Sequence, residues 1–143
     1  MLVKEIMTKD VVTVRPDAPL KELAKILKKH QINGVPVVSA DGTLAGIITM
    51  TDLLKILKDI NYWDSIEKIK PGIGVKEAFM REKEKATVAR KMTTQVTTVS
   101  EDDSVEHVVD LMCKHNIHTI PVVKDDKLIG VVGATDIISV SFL

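Results

Sequence analysis

Hydrophobic residues recur along this chain with two periods, and the changes of period mark its elements. Leu20, Leu23, Ala24 and Leu27 fall at i, i+3, i+4 and i+7, and Val105, Val108, Val109 and Met112 repeat that spacing. Each set is the apolar face of an amphipathic helix. Asp17 and Pro19 before the first, and Asp103 or Ser104 before the second, are suitable start signals. The runs Val35 to Val38 and Ala45 to Thr49 flank Ser39-Ala40-Asp41-Gly42-Thr43, where Asp-Gly marks a turn, and together they predict an antiparallel pair. Leu53, Leu54, Ile56 and Leu57 then open a closing helix, as Ile137, Ile138 and Val140 do further on.

The whole pattern occurs twice. Asn33-Gly34-Val35-Pro36-Val37-Val38 followed by Gly46-Ile47-Ile48-Thr49-Met50-Thr51-Asp52 corresponds to His118-Thr119-Ile120-Pro121-Val122-Val123 followed by Gly130-Val131-Val132-Gly133-Ala134-Thr135-Asp136. The second copy has one residue fewer between its halves. Upstream, Val3 and Met7-Thr8 match Val88 and Met92-Thr93, Val12-Thr13-Val14 matches Thr97-Thr98-Val99, Asp17 matches Asp102, and His30 and Ile32 match His115 and Ile117. A repeat of about half the chain is too long for a solenoid unit. It predicts a duplicated β-α-β-β-α unit, with a first domain over 1–60, a helical linker over 61–87 and a second domain over 88–143. The linker has no counterpart elsewhere and carries Tyr62, Trp63, Pro71-Gly72-Ile73-Gly74 and the run Arg81-Glu82-Lys83-Glu84-Lys85. Its charges read as a solvated face, and its Gly-Ile-Gly lacks the preceding strand and further glycine of a phosphate loop.

Composition removes several classes of partner. At 143 residues and 45% hydrophobic the chain can bury a core, and 20 Lys+Arg against 20 Asp+Glu leave no field to collect nucleic acid or an acidic membrane. A single cysteine, Cys113, excludes an intrachain disulfide and suits a reducing compartment. The first ten residues lack a signal peptide's apolar run, and no stretch is long enough to span a bilayer. The expected location is the cytoplasm.

The paired x-Gly-Val-Pro-Val-Val and Gly-x-x-Thr-x-x-Asp motifs, with the Met-Thr lead-in, resemble tandem cystathionine-β-synthase (CBS) domains, the arrangement called a Bateman module. The resemblance covers nearly the whole chain outside the middle linker. It implies an α/β (α+β) fold of two pseudo-twofold-related β-α-β-β-α units packed through their sheets, with clefts between them. Such clefts in many members bind adenosine-containing ligands such as AMP, ADP, ATP or S-adenosylmethionine. By this resemblance Asp52 and Asp136 take the ribose, with Thr49 and Thr51, or Thr135, near ribose and phosphate. The base rests around Thr13, Val35 and Pro36, or around Thr98, Ile120 and Pro121; Asn33 and Gly34 are ligand-binding candidates as well, and His118 lies where it touches base or phosphate.

Elementary chemistry agrees with these assignments. An ionised Asp only accepts hydrogen bonds and can take both donors of a vicinal diol, and a helix start offers N–H groups to phosphate. Thr49-x-x-Asp52 is equally the pattern of a capping box that needs no ligand. In the second copy Gly133 stands where Thr49 does, so a side-chain box is impossible there, although Asp136 remains and Thr135 lies close. That departure makes the second site the weaker one, so Asp52→Ala is expected to cost more ligand affinity than Asp136→Ala. His115 and His118 lack a third metal ligand. Arg15, Lys28, Lys29, Arg90 and Lys91 are phosphate neighbours or solvated charges. No set of nucleophile, base and orienting group indicates an enzyme, and no catalytic residue, metal or required cofactor is expected. Three readings follow: a stand-alone regulatory module that binds an AMP, ADP or ATP-class ligand and signals in trans to a separate protein; an S-adenosylmethionine sensor; or a ligand-free dimerising scaffold. Modules of this kind commonly form homodimers, so a homodimer is expected as well.

Overall fold

A computed structural model describes residues 1–59 and 86–143. Expectations for Tyr62, Trp63, Gly72 to Gly74 and the 81–85 charge run lie outside the described residues. The elements in chain order are α1 (Val3–Ile6), α2 (Leu20–His30), β1 (Gly34–Val38), β2 (Leu44–Thr49), α3 (Met50–Asp59), α4 (Val88–Lys91), α5 (Val105–His115), β3 (Thr119–Lys124), β4 (Lys127–Gly133) and α6 (Ala134–Phe142).

The long helices form where the 3.6-residue period places them, with one adjustment. α2 buries Leu20, Leu23 and Leu27, and α5 buries Val108 and Met112. Ala24 and Val109 are exposed; Ile26 and Leu111 flank the buried stripe instead. Ser104 caps α5 by accepting the His107 N–H at 3.1 Å. The N-cap of α2 is Pro19, which makes no side-chain cap hydrogen bond. Both helices end on a left-handed residue, Gln31 at φ 53° and Asn116 at φ 52°, whose N–H bonds to Leu27 and Met112 carbonyls. This single reversal turns each helix directly into the next strand.

Each unit holds an antiparallel hairpin, β1 with β2 and β3 with β4, and each hairpin has a register shift at the equivalent place, Val37/Val38 and Val122/Val123. The leading strand expected in each unit is reduced to one residue. Val14 pairs in parallel with Val37, and Val99 with Val122. The chain then turns, through Ala18 N–H to Arg15 O at 3.1 Å and Asp103 N–H to Ser100 O at 3.1 Å, so pairing stops. Pro16, which has no N–H, reinforces the stop in the first copy.

The cores are not made of contiguous sequence. Val3 of α1, fully buried, joins the core of Val99, Val108, Met112, Ile120, Val122, Val132 and Ile137. Val88 of α4 joins Val14, Leu20, Leu23, Leu27, Val35, Val37, Ile48 and Ile56. Each copy therefore lends its first helix to the other. The exchange is fastened by backbone bonds: Val3 N–H to Asp103 O and Val88 N–H to Ala18 O, both 2.9 Å, with Thr8 pairing with Val131 and Thr93 with Ile47. Gly130 and Gly46 make room for it. A Cβ on Gly46 would lie 2.7 Å from Thr93 O and 2.8 Å from Met92 Sδ; on Gly130 it would lie 2.9 Å from Met7 Sδ. The hairpin tips also meet, through Leu44 N–H to Asp126 O at 3.0 Å and Leu128 N–H to Gly42 O at 3.1 Å. There Asp41, held by the Thr43 backbone N–H, the Thr43 side chain and the Lys127 ammonium, has its carboxyl lowered to about 2.

Candidate functional site

Two clefts open where the units meet, and equivalent positions build both. Cleft A, of about 450 Å³, is lined by Thr8, Asp10, Val11, Val12, Gln31 to Gly34 and Pro36 of the first copy, with His118, Thr119, Val131 and Gly133 to Asp136 of the second. Cleft B, of about 690 Å³, is lined by Thr93, Gln95 to Thr97 and Asn116 to Thr119 of the second copy, with Asn33, Gly34, Ile47, Thr49 to Asp52, Leu54 and Lys55 of the first. Both volumes fall in the range of small-ligand cavities. Asn33, Gly34, His118 and Thr119 line both clefts, so they occupy the pseudo-twofold centre.

Of the residues expected from sequence, Asn33, Gly34, Pro36, His118, Thr135 and Asp136 come together at cleft A. Asn33, Gly34, Thr49, Thr51, Asp52 and His118 come together at cleft B. Val35 and Ile120 line neither cleft: strand alternation points them into the cores, where both are fully buried. Pro121 is fully buried and also outside the lining, unlike its counterpart Pro36. Thr13 and Thr98 are outside the lining too, because Val11 and Val12, or Val96 and Thr97, occupy the wall just before them. Arg15, Lys28, Lys29, Arg90, Lys91, His30 and His115 line neither cleft. Among the described residues no group of three His, Cys, Asp or Glu side chains could hold a metal ion.

The acidic residues sit in the first turn of a closing helix. Asp52 Oδ2 accepts the Thr49 N–H at 2.8 Å and the Thr49 hydroxyl at 3.2 Å, and Thr49 Oγ1 accepts the Asp52 N–H at 3.4 Å. This is the reciprocal capping box that the spacing allows. Asp136 Oδ2 accepts the Gly133 N–H at 2.9 Å, half of the same arrangement. In each case Oδ1 makes no hydrogen bond among the described residues, so one carboxylate oxygen holds the helix start and the other remains an open acceptor.

Gly133 has a partner substitution that the sequence reading missed. Gly34 pairs across the strands with Thr49, and Thr119 pairs with Gly133. A Cβ on Gly34 would lie 2.9 Å from Thr49 Cγ2. The two copies thus hold the same small and large pair with its members exchanged between strands. The signal was present in the aligned repeats, where Gly34 faces Thr119 and Thr49 faces Gly133.

Two α+β repeats that exchange their first helices and enclose two equivalent clefts define a paired-domain module. The chain belongs to the CBS domain family: that family's model matches residues 3–59 and 86–142. Its similarity to L-aspartate semialdehyde sulfurtransferase of Methanocaldococcus jannaschii is 36% identity over 95% of this chain and 22% of that protein. The chain thus spans about a fifth of the sulfurtransferase's length. It is 35% identical to protein MJ1426 of the same organism, over 96% of this chain and 89% of that one. Among solved structures it resembles the CBS domain pair of protein MJ0100 in complex with 5′-methylthioadenosine and S-adenosyl-L-methionine, with a TM-score of 0.76, 35% identity, and 98% of this chain and 94% of that chain covered.

Proposed function

We propose that this chain is a regulatory module that binds an adenosine-containing ligand in the clefts between its two CBS domains and transmits the bound state to a separate protein. One observation carries the reading: each cleft places an Asp with an open carboxylate oxygen on the first turn of a helix, opposite a wall from the other unit that offers apolar side chains, Val11, Val12, Ile32 and Pro36 in cleft A and Val96 and Ile117 in cleft B. The open oxygen suits a ribose diol, the helix start suits a phosphate or other 5′ substituent, and the wall suits a flat base. The relative solved with 5′-methylthioadenosine and S-adenosyl-L-methionine supports this ligand class. Because each cleft takes walls from both units, an occupant holds the two units in one relative geometry. That is how occupancy can reach a partner. The outward apolar residues Leu54, Ile138 and Val140, each at least half exposed, favour a second copy of this chain as a packing partner. Light scattering should then give a dimer mass; a monomer would contradict that pairing.

A thermal-shift screen with AMP, ATP, 5′-methylthioadenosine, S-adenosylmethionine and a guanosine control tests the ligand reading. At about a hundred times its dissociation constant a ligand adds roughly 2.7 kcal/mol to the folded state. For a chain of this size the midpoint should rise by about 5–10 °C. Asp52→Asn keeps an acceptor for the helix cap but removes the charge, and should weaken binding about tenfold in cleft B. No rise with any adenosyl compound, in protein first stripped of carried-over ligand, would contradict the reading and favour a scaffold.

A further inference from the structure

The two clefts are equivalent in position but not in charge. Where cleft A has Asp10, cleft B has Gln95. Where cleft B has Lys55, the matching position on α6 is Ser139, which does not line cleft A. Cleft A therefore gathers the carboxylates of Asp10 and Asp136, and cleft B gathers Asp52 with the Lys55 ammonium; His118 is common to both. Asp10 and Lys55 are exposed, and neither makes a side-chain hydrogen bond or ion pair among the described residues.

We propose that the clefts sort adenosine-containing ligands by the charge of the 5′ substituent: cleft B takes the phosphorylated nucleoside, and cleft A takes the nucleoside with an uncharged or sulfonium-bearing substituent. The inference rests on the proposed adenosine-binding role and adds which ligand goes where. In cleft B the Lys55 ammonium offers three donors and a positive charge to a phosphate, beside the positive end of α3. In cleft A a phosphate would meet two carboxylates, with only the start of α6 to offset them, whereas a sulfonium would be attracted by both. Asp136 in cleft A and Asp52 in cleft B are equivalent carboxylates and so cannot discriminate. The discriminating positions are 10/95 and 55/139.

The test exchanges those charges between copies. Calorimetric titrations with AMP, 5′-methylthioadenosine and S-adenosylmethionine are run on the full chain, on Lys55→Ser and on Asp10→Gln, each substitution installing the residue found at the equivalent position. Lys55→Ser should weaken AMP about three- to tenfold and leave 5′-methylthioadenosine within about twofold, and Asp10→Gln should weaken S-adenosylmethionine by a similar factor while tightening AMP at its weaker site. Lys55→Gln and Asp10→Asn, with side chains closer in size, should reproduce these shifts, which separates charge from shape. If the wild-type chain binds adenosyl ligands and none of the four variants changes its preference among them, the sorting is wrong while the binding role stands. If the wild-type chain binds none of the three, the binding role fails and the sorting fails with it.

Discussion

At the residue scale a cross-strand pair of glycine and threonine lies in the cleft walls of each unit. Gly34 leaves the space that Thr49 fills, whereas a Cβ on Gly133, the cross-strand partner of Thr119, would meet Asp136 Oδ2 at 3.3 Å and Thr135 Oγ1 at 3.5 Å. Gly34→Thr should cost about 1–3 kcal/mol of folding stability, because its Cβ would lie 2.9 Å from Thr49 Cγ2 and 3.2 Å from Ile48 O. Adding Thr49→Gly recreates the second unit's arrangement and should recover most of that loss, giving a coupling of about 0.5–3 kcal/mol in a denaturant double-mutant cycle. Losses that simply add would show that the pairing carries no packing information. Much of the cleft lining was legible at this scale. Asp52 and Asp136 followed from a motif with fixed spacing, and Asn33, Gly34, Pro36 and His118 from the repeat. Val35 and Ile120 were misplaced because a motif does not say which face of a strand each member uses; alternation does, and it puts the valine and isoleucine in the cores. Gly133 pairs across the strands with Thr119 as Thr49 does with Gly34, and the ranking of the two sites by affinity is a matter for titration.

At the scale of elements, local periodicity placed α2, α5 and the two hairpins within a residue or so, because their apolar faces have a helical or strand period. The leading strands and α1 and α4 were a different matter. A four-residue helix has too few positions to show a period, and each leading strand pairs through one residue, Val14 or Val99. The duplicated Met7-Thr8 and Met92-Thr93 marked these segments as important without saying where they dock. They dock on a glycine. Gly46→Ala should lower unfolding free energy by about 1–3 kcal/mol, since the nearest obstacle, Thr93 O at 2.7 Å, is backbone and cannot rotate away. Urea denaturation checks this, and a variant as stable as the parent would mean that the Met92-Thr93 segment does not bear on Gly46.

At the scale of the whole molecule, the exchange of α1 and α4 makes the two units one folding problem. Nothing in local sequence predicts it, because the contacts join residues far apart in the chain, as Lys4 and Asp102 show with their 3.1 Å ion pair. The exchange also gives the clefts their composition. Thr8 to Val12 follow α1 into the wall of cleft A, and Thr93 to Thr97 follow α4 into the wall of cleft B. Each cleft is therefore completed only when both units are in place, so under the proposed function an occupant would report on their geometry. Hydrogen–deuterium exchange of the intact chain, with and without saturating AMP or 5′-methylthioadenosine, tests this most directly. Binding should slow exchange together at the start of a closing helix, around Thr49 to Asp52 or Gly133 to Asp136, at the central Asn33-Gly34 and His118-Thr119, and in the wall segment contributed by the other unit. Protection confined to one unit, or absent from the central residues, would contradict a ligand held between the two domains.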